Sequence, residues 1–201
     1  MPLCKLWLKQ VFHRTHISIL SLGSEQCEVS TSPSYSLLYM LVAKEFESAN
    51  AEYAKYFDKS SLKLPPKKKV AVVVCMDARI NPNAVLGLSE GDAHVIRNAG
   101  GRSQDSLRSI IISQFLLGTR EIVVVHHTDC GMLTFSDKEL KHIILRETGE
   151  KVDCSSFLPF KDLEQSVRDD VKFFQESPLV MDVPVTGYIY DVHKGTIEKV
   201  V

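Results

Sequence analysis

The chain has 201 residues, 44% of them hydrophobic, so it can bury a substantial core, and its length favours a single domain with an appended tail. Its 24 lysines and arginines nearly balance 25 acidic residues, and the net charge of -1 gives no electrostatic reason to expect a nucleic acid or an acidic membrane as partner. No apolar run reaches the roughly 18 residues that span a bilayer, so we expect a soluble protein that acts on a small molecule.

The cysteine content favours a reducing compartment, and we therefore predict a cytoplasmic protein. The number of cysteines is odd, and they are widely spaced in a chain that is too large to need disulfide bonds. They are Cys4, Cys27, Cys75, Cys130 and Cys154.

The first 40 residues differ in composition from the rest. Basic residues precede the first acidic residue, Glu25, and a serine-rich stretch covers residues 18–36. Such a segment is typical of a mitochondrial transit peptide, of an irregular extension, or of sequence upstream of a start at Met40. We divide the chain into this extension, residues 1–40, and one domain, residues 41–201; removal of the extension on import would place the protein in mitochondria.

The domain begins with a predicted amphipathic helix that ends before Pro65. Its apolar residues repeat every three or four positions: Val42, Phe46, Ala49, Tyr53 and Phe57. A continuous apolar run over residues 70–74 then predicts a strand that is buried on both faces, and a second strand is predicted over residues 93–97.

The middle of the domain continues the alternation of helices and strands. A helix closed by Gly118 follows the second strand, and we interpret its isoleucine and leucine run, residues 110–117, as core. A third strand is predicted over residues 121–125. Ser136 and Glu139 then have the spacing of a capping box and predict the start of another helix, which stops at Gly149.

The C-terminal part predicts a helix over residues 161–176, a strand over residues 185–192 and a short final strand over residues 196–200. Strands that alternate with helices predict an α/β fold with a mostly parallel central sheet flanked by helices.

Metal-binding residue types follow two of the predicted strands. Cys75 comes directly after the first strand, and His127 and Cys130 come after the third. If these strands are neighbours, the three side chains converge where parallel strands end, which is where ligands bind in such sheets. Two thiolates and one imidazole suit zinc, and three ligands leave the fourth position free, as in a catalytic site. For Cys75 alone, a buried thiol would be the ordinary interpretation.

Asp77 and Arg79 follow the first candidate ligand. Alternate residues of an extended segment share a face, so we expect Cys75, Asp77 and Arg79 to point together. A carboxylate beside the metal can orient bound water, and an arginine can hold that carboxylate away from the metal. A purely structural ion pair is the alternative interpretation. We interpret His126, which would face away from His127, as structural or supporting.

Three motifs in this order resemble the β-class carbonic anhydrases over about residues 42–201: Cys75-x-Asp77-x-Arg79, Arg97-Asn98-Ala99-Gly100 and His127-x-x-Cys130-Gly131. The resemblance implies a β-carbonic anhydrase-like fold with Zn2+ on Cys75, His127 and Cys130. It also implies that Asp77 and Arg79 form the catalytic dyad and that the protein is a homodimer or a higher homo-oligomer.

The implied activity is zinc-dependent, reversible hydration of carbon dioxide to bicarbonate by a metal-bound hydroxide. Residues 126–132 are similar to a minor branch that includes enzymes hydrolysing carbonyl sulfide or carbon disulfide to hydrogen sulfide, so this activity is the alternative. A second alternative is a catalytically silent zinc protein or a redox-responsive thiol protein in which Cys75 and Cys130 pair after metal loss.

Overall fold

The computed structural model of the protein describes residues 42–154 and 156–201. The chain divides into two compact units between Phe57 and Asp58, and each is described by itself. The predicted extension or transit segment, residues 1–40, lies outside the described residues, and the domain boundary after it stays a prediction. Within the described ranges, no helix is both long and apolar enough to cross a membrane.

In the first unit, the described part is helix α1 (Val42–Ala54), which begins where the apolar periodicity predicts a helix. The second unit contains the remaining described elements: β1 (Val70–Cys75), α2 (Pro82–Leu86), β2 (Ala93–Asn98), α3 (Ser103–Leu117), β3 (Glu121–His127), α4 (Asp137–Thr148), α5 (Leu163–Glu176), β4 (Val185–Asp191) and β5 (Thr196–Lys199).

The described strands form one five-stranded sheet in the order β2-β1-β3-β4-β5. All neighbouring pairs are parallel except β4 and β5, the two predicted C-terminal strands, which are antiparallel. The prediction of an α/β fold with a mostly parallel sheet is confirmed. Strand β1 lies between β2 and β3, and all six of its residues are buried, as its continuous apolar run predicts.

The two faces of the sheet pack into separate apolar layers. One layer includes Val72, Val74, Val125 and Phe160. The other joins the sheet to α3 and α5 and includes Ala71, Val73, Ile110, Ile122, Val124, Val171 and Phe174. Residues alternate between the layers along β1 because successive side chains of a strand point to opposite faces.

The interpretation of residues 110–117 as core is wrong for much of that run. Ile110 is fully buried, but Phe115 and Leu116 are 58% and 75% exposed. Only one face of α3 packs against the sheet, and that face also carries polar residues. Two of their groups are hydrogen-bonded: Ser113 Oγ lies 2.6 Å from Thr119 Oγ1, and Gln114 Oε1 accepts from the backbone N–H of Met181.

Local signals at several helix ends agree with the sequence. The predicted capping box of Ser136 and Glu139 begins α4, and Gly149 ends it in the left-handed conformation. Helix α2 was missed because it has only five residues, although its start is well defined: Asn81 accepts a hydrogen bond from the Ala84 backbone N–H, and proline occupies the first turn.

Gly101 allows the connection between β2 and α3 to cross the ends of the two central strands. Its φ is +69°, and a Cβ there would lie 3.0 Å from the backbone nitrogen of Cys75 and 3.1 Å from the carbonyl oxygen of Val125. Both neighbours are backbone atoms that cannot move without disturbing β1 or β3. Close packing at Gly101 therefore holds the connection against the strand ends.

We expect Gly101→Ala to destabilise the protein more than Gly118→Ala does. Gly118 also has a positive φ, +76°, but a Cβ there would meet no atom within 4 Å, so its substitution isolates the backbone strain. That strain costs about 1 kcal/mol, and overpacking at Gly101 should add roughly 1–3 kcal/mol. Urea unfolding followed by circular dichroism measures both, and equal losses of stability would contradict the close approach.

Candidate active site

Three potential metal ligands lie together at the ends of two neighbouring strands. Cys75 is the last residue of β1, His127 is the last residue of β3, and Cys130 follows three residues later. All three are buried, and their ligand atoms lie within 4.8 Å of one another. Two thiolates bound to one zinc are about 3.8 Å apart when each Zn–S bond is about 2.3 Å, so the cluster has the dimensions of such a site.

The imidazole of His127 is oriented as a metal ligand would be. Its Nδ1 lies 2.8 Å from the carbonyl oxygen of Thr128 and must donate, because a carbonyl can only accept. In the neutral imidazole Nε2 then carries the lone pair, and it is a buried atom without a hydrogen-bond partner among the described residues. Histidine ligands of metals usually have this arrangement, in which the second ring nitrogen donates to a carbonyl or a carboxylate.

The two thiols are electrostatically coupled. A hydrogen bond from Cys130 lowers the pKa of Cys75 to about 4 against the opposing effect of burial. The same contact, together with burial, raises the pKa of Cys130. Cys75 is thus the more readily ionised thiol of the pair, and a divalent cation would have to displace the proton that remains on Cys130. Burial lowers the pKa of His127, but the neighbouring Cys75 thiolate outweighs it, and the net shift is upward.

Asp77 and Arg79 form a two-point ion pair beside this cluster. Arg79 donates from Nη2 to Asp77 Oδ2 at 2.7 Å and from Nε to Oδ1 at 3.0 Å. These bonds hold the pKa of Asp77 far below its ordinary value and raise that of Arg79. Asp77 Oδ2 lies 3.9 Å from His127 Nε2. The carboxylate therefore lies next to the ligand set but is held by the guanidinium.

The backbone geometry behind this pair differs from the prediction. We expected an extended segment, but the chain turns at Asp77, where the Ile80 N–H donates to the Asp77 carbonyl and the Arg79 N–H donates to Oδ1. Aspartate favours such turns because its side chain reaches the backbone two residues ahead. The side chains meet as predicted, but the turn brings them together and not strand alternation.

Sequence reasoning missed two residues that support this segment. Arg97, which we placed only in a motif, donates to the carbonyl oxygens of Cys75 and Asp77 at 3.1 and 2.7 Å. Asp129 accepts from Arg79 Nη1 at 2.7 Å. The position of Asp129 between His127 and Cys130 could have drawn attention to it, but its partner is fifty residues away in the chain.

A cavity of about 330 Å³ opens beside the cluster. Its lining joins the two candidate cysteine ligands and Asp77 to a mainly apolar wall: Cys75, Met76, Asp77, Ala99, Gly100, Cys130, Gly131, Met132 and Phe135. A small apolar pocket with a few convergent polar groups is the usual form of a small-molecule site.

Comparison with known proteins identifies the family. Residues 70–197, a segment that contains every candidate site residue, match the family model described as carbonic anhydrase. β-Carbonic anhydrase 1 of Mycobacterium bovis is 43% identical over 163 residues, which are 80% of this chain and 99% of that protein. The chain belongs to the β-carbonic anhydrase family.

Two further relatives agree with this assignment. The crystal structure of a carbonic anhydrase from Streptococcus mutans superposes with a TM-score of 0.77 at 43% identity, covering 82% of this chain and 100% of that one. A carbon disulfide hydrolase from an Acidianus strain is 33% identical over 161 residues, 68% of this chain and 79% of that protein. The predictions of a carbonic anhydrase and of its fold are confirmed.

A buried polar network lies behind the candidate ligand His127 of this carbonic anhydrase. The ring of His126 is fully buried, with Nδ1 2.8 Å from Ser166 Oγ and Nε2 3.0 Å from Asp170 Oδ2. The other oxygen of Asp170 pairs with Arg102 at 3.1 Å, and the ring of His126 stacks on Phe160. As expected, His126 faces away from His127, and the network ties the end of β3 to α5.

We expect Asp170→Ala to destabilise this carbonic anhydrase strongly. The substitution leaves Arg102 and His126 buried without their carboxylate, and breaking a buried ion pair costs about 3–5 kcal/mol. Asp169→Ala is the matched control, because Asp169 is exposed on the same helix. This substitution should lower the free energy of unfolding by less than about 0.5 kcal/mol. Urea unfolding of both variants is the measurement, and similar stabilities would show that the network contributes little.

Proposed function

We propose that the protein binds one zinc ion on Cys75, His127 and Cys130 and catalyses the reversible hydration of carbon dioxide to bicarbonate. The observation that carries the proposal is the convergence of two coupled thiols on the unpartnered Nε2 of His127. Membership of the carbonic anhydrase family supports the reaction.

The donor set fits zinc. Two sulfurs and one imidazole nitrogen suit this metal better than oxygen-preferring cations, and three ligands leave one position for water or substrate. When bound, zinc acts as a Lewis acid that lowers the pKa of water and so supplies hydroxide, although two thiolates leave that water less acidic than three neutral histidines would.

Asp77 has the properties of an orienting acceptor. Because Arg79 keeps its pKa far below neutrality, Asp77 is ionised under physiological conditions and accepts hydrogen bonds without retaining a proton. A water molecule that donates to Asp77 has its remaining lone pairs free to face the carbon atom of the substrate. The proton lost in each turnover must then pass to solvent or buffer, since Asp77 cannot store it.

The cavity supports a small, uncharged substrate. Ala99, Gly100, Met132 and Phe135 provide apolar surface in a cavity that Cys75 and Asp77 also line. Such a wall can hold a linear triatomic molecule near the ligand cluster and keep competing water away from its carbon.

Hydrolysis of carbonyl sulfide or carbon disulfide is the second candidate activity. The 33% identical Acidianus relative is named as a carbon disulfide hydrolase, and the sulfur atoms of Met76 and Met132 add polarisable surface to the cavity. Both substrates are attacked at carbon, so pocket shape decides between them.

We expect zinc-loaded protein to hydrate carbon dioxide rapidly. The Cys75→Ser variant should not retain zinc, and its turnover should fall by at least about 100-fold. Cys154→Ser is the matched control, because Cys154 lies outside the cluster and donates to the Ser156 carbonyl; it should keep both. Stopped-flow hydration and sulfide release from carbonyl sulfide measure the two activities. Sulfide release together with slow hydration would identify the protein as a carbonyl sulfide hydrolase. Absence of activity in both assays would favour the non-catalytic alternatives.

We also propose a homodimer or a higher homo-oligomer. Helix α1 exposes large apolar side chains, among them Phe46 at 67% and Tyr53 at 50%. Such a stripe is stabilised when it packs against another surface, and a second copy of the chain is the occupant that the family resemblance implies.

Phe46→Glu should therefore shift the protein toward monomer in sedimentation velocity, because it places a charge in the apolar stripe. Ser48→Glu adds the same charge on another face of α1 and should leave assembly unchanged. A wild-type monomer with full zinc content and activity would disprove the assembly.

The cytoplasm remains our proposed location, and residues 41–201 our proposed catalytic domain. The alternative is import into mitochondria with removal of residues 1–40. N-terminal sequencing of the protein from separated cell fractions distinguishes them. A start near residue 41 in mitochondrial protein would favour import, whereas the same start in cytoplasmic protein would favour translation from Met40.

A further inference from the structure

Asp129 connects the two chain segments that carry the candidate ligands. It lies between His127 and Cys130 with a φ of +55°. Its carboxylate accepts from Arg79 Nη1 at 2.7 Å, and its carbonyl accepts from Arg79 Nη2 at 3.0 Å. Asp77 binds the other edge of the same guanidinium. Arg79 thus bridges the segment after β1 and the segment after β3.

This bridge fixes the direction of a long and otherwise adaptable side chain. Arg79 is 46% exposed, so packing alone does not hold its guanidinium. Four hydrogen bonds from two adjacent edges do so, two to Asp77 and two to Asp129, with Nη2 donating to both residues. Because the guanidinium is a planar fork, holding one edge on Asp129 directs the other edge toward Asp77.

One of the two Asp77 oxygens that Arg79 holds lies close to a candidate metal ligand. Oδ2 of Asp77 accepts from Nη2 and lies 3.9 Å from His127 Nε2. A carboxylate oxygen is itself a good zinc ligand. If Arg79 loosens, this oxygen is the group best placed to occupy the fourth metal position.

We infer that Asp129 is a positioning residue that holds Arg79 on Asp77 and thereby keeps the fourth metal position free for a small ligand. The inference rests on the proposed metal site. A purely structural role for Asp129, as the residue that tolerates the left-handed turn, is the competing explanation, because aspartate and asparagine both adopt that conformation.

The test is azide binding to the cobalt-substituted full chain, followed by the visible absorption of the cobalt ion. Azide reports directly whether the fourth position is accessible. Asp129→Asn preserves size and tolerance of the positive φ but weakens the contact with Arg79. We expect its azide dissociation constant to rise about threefold to fivefold, the effect of losing a partly exposed ion pair. Simple electrostatics predicts the opposite sign, because removal of a negative charge favours an anion.

The double variant Asp77→Asn with Asp129→Asn separates the mechanisms. An amide at position 77 competes poorly with azide for the metal. The double variant should therefore bind azide no more weakly than Asp77→Asn alone does. Asp169→Asn, on the exposed face of α5, should behave as wild type. Unchanged or tighter azide binding in Asp129→Asn, or equal weakening in both backgrounds, would overturn the inference.

Failure of the proposed function is recognised separately. A wild-type chain that takes up neither zinc nor cobalt overturns both proposals. Cobalt-loaded protein that shows the expected azide pattern while the zinc form does not hydrate carbon dioxide leaves the role of Asp129 supported and overturns the proposed reaction.

Discussion

The parallel pairing of β1 with β3 is the constraint on which the site depends. Val70 is level with Glu121 and Val74 with Val125, so the two strands end side by side. The candidate ligand Cys75 at the end of β1 then meets His127 at the end of β3 and Cys130 just beyond it. A slip of one residue would shift the strands by about 3.3 Å and reverse the face of every side chain on one of them. The apolar interior of the sheet, remote from the chemistry, therefore sets the geometry of the cluster.

The end of β3 is held from both sides. His126 points toward α5, where its two ring nitrogens form hydrogen bonds with Ser166 and Asp170. His127 points toward Cys75. Adjacent residues of a strand project to opposite faces, so one histidine can contact the helix while its neighbour faces the candidate metal ligands. Because His126 is fully buried and hydrogen-bonded, the backbone that carries His127 has little freedom to shift, which is the rigidity that a preformed ligand set requires.

The sequence predicted those features that depend on periodicity and residue type. The buried strands, the parallel order and the meeting of Cys75 with His127 follow from apolar runs and from the residues placed at strand ends. The exposure of Phe115 on α3 does not, because composition cannot say which face of a helix meets the sheet. The bridge through Asp129 was also unpredictable, since it depends on a positive φ and on a guanidinium fifty residues away.

Two arginines position the same segment in different ways. Arg97 binds the carbonyl oxygens of Cys75 and Asp77 and so fixes the path of the backbone. Arg79 binds the carboxylate of Asp77 and fixes the side chain. The thiol and the carboxylate are thus positioned by separate contacts, and a change at Arg79 can release Asp77 without moving Cys75. Lysine could replace neither arginine, because a single ammonium cannot present two N–H groups in a fixed planar geometry.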